Sequence, residues 1–169
     1  MAINYLAQTG ALEDLIWSIM NDAETEAHVD RLITALNRDM EHEQDVQAQD
    51  EIQDEIDEWN EFLENVRDTR YDKTFLALTV SEKKATKKQD DKASCVFKHQ
   101  LLAMAEMRDH VAALKSANEA EDLIDFASRT YFKTANNSAF AIAKFLGLDV
   151  ESCMACLFEK NKIETRGVI

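Results

Sequence analysis

Between Asp50 and Phe62 the chain reads DEIQDEIDEWNEF, seven carboxylates in thirteen residues with no basic residue among them. Like charges a turn apart on a helix repel, so a chain that crowds them either leaves them in water or supplies a cation. On a helix, Glu51, Glu55 and Glu58 share one face while Ile52, Ile56 and Trp59 share another. Glu119 and Asp122 repeat the i,i+3 spacing later in the chain, with Asp125 following and Leu123 and Phe126 nearby as apolar anchors. If the two acidic helices pack antiparallel, their carboxylates converge on one point. Close like charges raise one another's pKa unless a divalent ion lies between them. Oxygen-only ligation selects a hard ion, Mg²⁺ or Mn²⁺, and Mg²⁺ usually bridges to substrate phosphates. The chemistry expected is therefore phosphate processing. Glu106 and Asp109 in AEMRDHVAAL form a competing second carboxylate pair.

The elements that must position these residues are helical. The 169 residues contain no proline and only three glycines, which favours helices and leaves little of the turn chemistry that β folds need. A single all-helical domain over residues 1–169 is expected. Leu12, Leu15, Ile16 and Ile19 predict a helix from about Ala11 to Asn21. Val29, Leu32, Ile33 and Leu36 predict a second, and Ile52, Ile56, Trp59 and Leu63 a third, which carries the acidic face. Residues 68–94 contain a β-prone run, Thr74 to Val80, followed by a Lys- and Asp-rich tract, and read as an irregular or mobile polar connection. Leu101, Leu102, Ala105, Val111 and Leu114 mark the next helix. Asn118 with Glu121 has capping-box spacing and predicts a further helix start. The last part reads as two helices separated at Gly147, with Asp149 as an N-cap. The architecture expected is all-α, a bundle of about six helices. Trp17 and Trp59 are expected as core anchors.

A net charge of -14 argues against direct binding of nucleic acid or an anionic membrane surface. The charge is concentrated: twelve acids and no Lys or Arg lie between Asp39 and Glu64. The N-terminal residues show neither a signal peptide pattern nor a membrane span. Three cysteines fit a reducing compartment, and a cytoplasmic location is expected. Cys153 and Cys156, in C-x-x-C spacing, lie in an apolar helical pattern and read as core residues before zinc ligands.

Three stretches together resemble a known superfamily. DEIDE, Asp54 to Glu58, is similar to the E-E-x-x-E motif of the all-α nucleoside triphosphate pyrophosphohydrolases, which include MazG-like enzymes and dimeric dUTPases. EAED, Glu119 to Asp122, resembles that superfamily's E-x-x-D, and AIAKFLGLDVESCMACLFEKNKIETRG resembles its closing helices. Asp54 stands where the motif has Glu, and the gap from Glu58 to Glu119 is longer than in small MazG-like members. The resemblance implies Mg²⁺-dependent hydrolysis of a (deoxy)nucleoside triphosphate to the monophosphate and pyrophosphate. Glu55, Glu58, Glu119 and Asp122 would hold the metal, with Glu55 and Glu58 at the centre of catalysis. Lys160, Asn161 and Lys162 would contact phosphate or sugar, and the protein would form a homo-oligomer. The reading from another class is a non-enzymatic acidic helical protein, a DNA mimic or an inhibitor of a basic partner.

Overall fold

The computed structural model of the protein describes residues 10–148. Within them the chain forms four helices and no strand: α1 (Ala11–His42), α2 (Val46–Lys87), α3 (Asp91–Ser116) and α4 (Glu121–Leu146). The all-α class is as expected, but the described residues hold four helices where a bundle of about six was expected. The difference has local causes. The stretches read as separate helices before Asn21 and after Val29 are one helix, because the residues between them include neither Gly nor Pro to break it.

The expected irregular connection at 68–94 is the larger correction. α2 continues through it to Lys87, and only three residues, Lys88 to Asp90, separate it from α3. Thr74 to Val80 is β-prone in isolation, yet Thr74, Ala77, Leu78 and Val80 are all buried in the helical core. Tertiary packing overrides local propensity here. The lysine tract suits a helix end, since Lys84 and Lys87 fall in the last turn of α2, where the macrodipole favours cations. Asp90 then caps α3, its side chain accepting the Ala93 N–H at 3.0 Å.

Asn118 does not begin a helix. It adopts φ 50, a left-handed residue that ends α3, with its own N–H donating to Lys115 O and the Glu119 N–H to Leu114 O, each at 3.2 Å. Asn is one of the few side chains that tolerate this conformation. α4 starts instead at Glu121, with Glu121 and Asp122 in its first turn. It ends at Gly147, φ 76, as expected from the sequence, and the Leu148 N–H closes the turn on Ala143 O at 2.9 Å.

The helices alternate in direction. Glu26 meets Arg70 and Asp22 meets Lys73, so α1 and α2 are antiparallel. Arg108 meets Asp72 and Lys115 meets Glu64, so α3 is antiparallel to α2. α4 packs on α3, α1 and, across the short diagonal of the bundle, α2. The acidic helix and the helix after it in the EAED stretch therefore run parallel. The core gathers Leu12, Ile16, Ile19 and Met20 of α1 with Leu78 and Ala85 of α2, Phe97 and Met104 of α3, and Ala135, Ala139 and Ile142 of α4. Trp17 was expected to join it but is 39% exposed, off the stripe formed by Leu12, Ile16 and Ile19. At about 1.5 Å per residue, the 42 residues of α2 span about 63 Å and the 26 of α3 about 39 Å. Because Lys115 near the end of α3 pairs with Glu64, the first turns of α2 project beyond α3 together with the end of α1. Among the described residues no helix is long and apolar enough to cross a membrane.

Candidate functional site

The site arises where the facing seams of α2 and α4 change from buried residues to hydrated polar ones at one level of the bundle, beside Lys115 near the end of α3. Stepping back along α2 in alternating fours and threes, Ala85, Ser81, Leu78, Thr74 and Tyr71 are buried. The same steps then reach Arg67, Glu64, Asn60 and Asp57. On α4 the seam runs Ile142, Ala139, Ala135 and Phe132, all buried, and continues as Ser128, Asp125 and Glu121. On α3, Phe97 and Met104 give way to Val111 and Lys115. Apolar side chains would close these positions against one another. Polar ones stay hydrated, and the bundle opens there into a groove of about 560 Å³ lined by residues of all three helices.

Six carboxylates line this groove: Asp57, Glu61, Glu64 and Asp68 from α2, and Glu121 and Asp125 from α4. Lys115 and Arg67 are its cations, and Tyr131 and Phe132 are the aromatic residues in its lining. Glu64 pairs with Lys115 and Asp125 with Arg129, and all four side chains are at least 45% exposed. A second groove of about 490 Å³ lies on the α1 side, lined by Glu26, Asp30, Thr34 and Asn37 of α1 and Arg129 of α4. Asn60, Arg67, Asp125 and Phe132 line both grooves.

Beneath the junction is a buried ion pair. Arg70, 1% exposed, donates to Glu26 at 2.5 Å, and its second terminal nitrogen donates to the Phe132 carbonyl at 3.4 Å. Burial pushes the Glu26 carboxyl up, against the opposing pull of Arg70 and Arg67. Burial likewise lowers Arg70, against the pull of Glu26. For both partners desolvation is the largest influence. Tyr131, whose ring lies tilted with its centroid 4.8 Å from that of Tyr71, has its hydroxyl raised far above the usual phenol range by burial first and by Tyr71 next, so it stays protonated.

The expected site residues lie elsewhere. Glu55 and Glu58 are exposed and line neither groove, and the Glu55 carboxylate accepts from the Trp59 indole at 3.4 Å. Glu55 lies on the other flank of the stripe that buries Ile56 and Leu63. Glu119 is in the turn between α3 and α4, before the helix, and Asp122 is exposed with its carboxylate on the Leu123 N–H at 2.9 Å. These four carboxylates do not form the expected cage: among the described residues no group of three His, Cys, Asp or Glu could hold a metal ion. The competing pair, Glu106 and Asp109, is exposed on α3 and lines neither groove. Lys160, Asn161 and Lys162, like Cys153 and Cys156, lie outside the described residues.

The sequence did carry a signal for the groove. Asp57-Glu58-x-x-Glu61 repeats the pattern of Asp54-Glu55-x-x-Glu58 one turn later, and its first and last members line the groove. Counting the seam back from the buried residues selects between the two frames. Compared with family models, curated proteins and solved structures, the chain matches none.

Proposed function

We propose that the protein hydrolyses a (deoxy)nucleoside triphosphate to the monophosphate and pyrophosphate, with Mg²⁺, in the groove between α2 and α4. One observation carries this reading: carboxylates of two helices occupy seam positions around one cavity, where apolar residues would have stabilised the bundle. A pocket of about 560 Å³ is within the range of about 300–1,000 Å³ used for small-molecule sites. The resemblance to the all-α pyrophosphohydrolases supports it with the motif moved one turn, to Asp57-Glu58-x-x-Glu61.

Glu61, Glu64, Glu121 and Asp125 offer only oxygen, the donor type a hard ion takes, and they would have to draw together around it, since no three of them stand close enough to hold one. Two of the four are engaged in exposed ion pairs, Glu64 with Lys115 and Asp125 with Arg129. Pairs of this kind contribute only about 0–1 kcal/mol, so a divalent ion can displace them. When bound, the ion would neutralise phosphate charge and acidify a water. Lys115, at the end of α3, would orient the triphosphate, and a groove carboxylate would take the proton of the water that attacks the α-phosphorus in line with the leaving pyrophosphate. Lys160, Asn161 and Lys162 complete the proposal as phosphate or sugar contacts, in a homo-oligomer.

The test is pyrophosphate release from each dNTP with Mg²⁺ or Mn²⁺. Glu61→Gln and Glu121→Gln should lower the rate by about 100-fold or more, and Glu55→Gln should leave it within about twofold. No release from any dNTP, or full activity in Glu61→Gln and Glu121→Gln, would remove this reading.

A second reading has its own observation. Asp50, Glu51, Asp54, Glu55 and Glu58 are exposed on the part of α2 that projects past α3, an acidic tip suited to a basic protein partner. Salt-sensitive binding of polylysine, lost on neutralising these five residues and unaffected by Glu61→Gln, would favour it.

A further inference from the structure

Three cations face the two grooves: Lys115, Arg129 and Arg67. Lys115 is engaged by Glu64, and Arg129 by Asp125 at 2.9 Å. Arg67 differs from both. Its nearest carboxylates, Glu26 and Asp30, stand at 3.5 and 3.7 Å, beyond the usual range of about 2.7–3.2 Å. Its Nε is buried without a hydrogen-bond partner. Arg70 already satisfies Glu26 at 2.5 Å, so Arg67 is not needed to neutralise that carboxylate. The guanidinium lies over the Phe132 ring, 4.5 Å from its centroid, which fixes its plane before any ligand arrives. It stands where the two grooves meet, its side chain 18% exposed.

A planar guanidinium held by an aromatic face, with donor capacity left over and an open cavity on either side, is built to take a bidentate oxyanion. We infer that Arg67 is the polyphosphate-binding residue of the protein, with the phosphate chain lying across the junction between the two grooves. The inference deepens the proposed function by naming the group that grips the substrate, and its test does not depend on turnover. Phe132 is the positioning residue. The surrounding carboxylates, Asp57, Glu64, Asp125, Glu26 and Asp30, make the site selective for a polyanion that arrives with its divalent ion, since a bare one is repelled.

The experiment is calorimetric titration of the full chain with inorganic tripolyphosphate and with dNTPs, each with Mg²⁺, alongside KM and kcat where hydrolysis occurs. Arg67→Gln should weaken tripolyphosphate and dNTP binding about 10- to 100-fold. Arg67→Lys, which keeps the charge and most of the packing, should lose bidentate geometry and fall about tenfold. Lys98→Gln, at an exposed position on α3 that lines neither groove, should stay within about twofold. Melting without ligand separates lost binding from lost folding, and Arg67→Lys keeps the test valid if Arg67→Gln does not fold. Tripolyphosphate binding without any dNTP hydrolysis would support the phosphate site while ending the enzymatic reading. Hydrolysis with a KM unchanged in Arg67→Lys and Arg67→Gln, or no tripolyphosphate binding by the unaltered protein, would overturn the assignment.

Discussion

Replacing the buried pair Glu26–Arg70 with methionines tests whether desolvation outweighs attraction at the centre of the bundle. Arg70 is 1% exposed and Glu26 8%, so each charge has left water almost completely. Removing only one partner strands the other, and such losses run to about 3–5 kcal/mol. Arg70→Met should fall near the lower end, about 3 kcal/mol, because Arg67 remains 3.5 Å from Glu26. Glu26→Met should cost about 4 kcal/mol, since Arg70 then keeps only the Phe132 carbonyl, at 3.4 Å. The double variant removes both desolvation costs and fills the space with apolar volume, so it should lie within about 1 kcal/mol of the unaltered protein or above it. Urea midpoints at constant m-value give the cycle directly. At about 2–4 °C per kcal/mol for a chain of this size, the single variants should melt about 10 °C lower. The pH dependence has a definite sign. The Glu26 carboxyl is raised in the fold by burial, so its contribution is fully present below its unfolded value of 4.5 and is lost as pH rises through the folded value. The double variant should therefore gain on the unaltered protein as pH rises above 4.5. A double variant as unstable as the two singles summed, or one that loses ground with rising pH, would refute the reasoning.

Ile142→Ala, at a position fully buried where α4 meets the rest of the core, should lower the urea midpoint by the equivalent of about 2–5 kcal/mol. Asn118→Gly should be near neutral in stability, because Gly accepts the left-handed φ of 50 that ends α3, while Asn118→Val should lose about 1–2 kcal/mol in the same assay.

The helical class was legible because composition and period agreed: with no proline, nothing forbade helix anywhere. The helix ends were less legible, and the errors have one source. Thr74 to Val80 was read by local propensity, but Thr74 donates to the Arg70 carbonyl at 2.7 Å and is fully buried, so packing and a satisfied hydroxyl decide its state. Asn118 was read as a start because Glu121 follows at capping distance. The same side chain is also a good terminator, and the two uses cannot be told apart without knowing which neighbouring carbonyls still need a donor. Gly147 gave no such ambiguity, because glycine past an apolar period marks an end and seldom a beginning.

The acidic element was legible, but which of its faces borders the groove was not. An acid on a solvated helix surface costs the fold almost nothing, so a run of acids satisfies several motif frames at once and distinguishes none. Glu55 and Glu58 are in this condition, exposed on α2. Glu64 and Asp125 are themselves about half exposed, at 54% and 46%, but they continue seams that bury Tyr71 and Leu78 on one helix and Phe132 and Ala139 on the other. A buried aliphatic side chain at either position would contribute about 1.5–3 kcal/mol. A chain that forgoes that burial on the facing seams of two helices at the same level is spending stability on an opening. That forgone burial, rather than the density of negative charge, marks where the groove lies, and it can be counted in a sequence once the buried seam has been found.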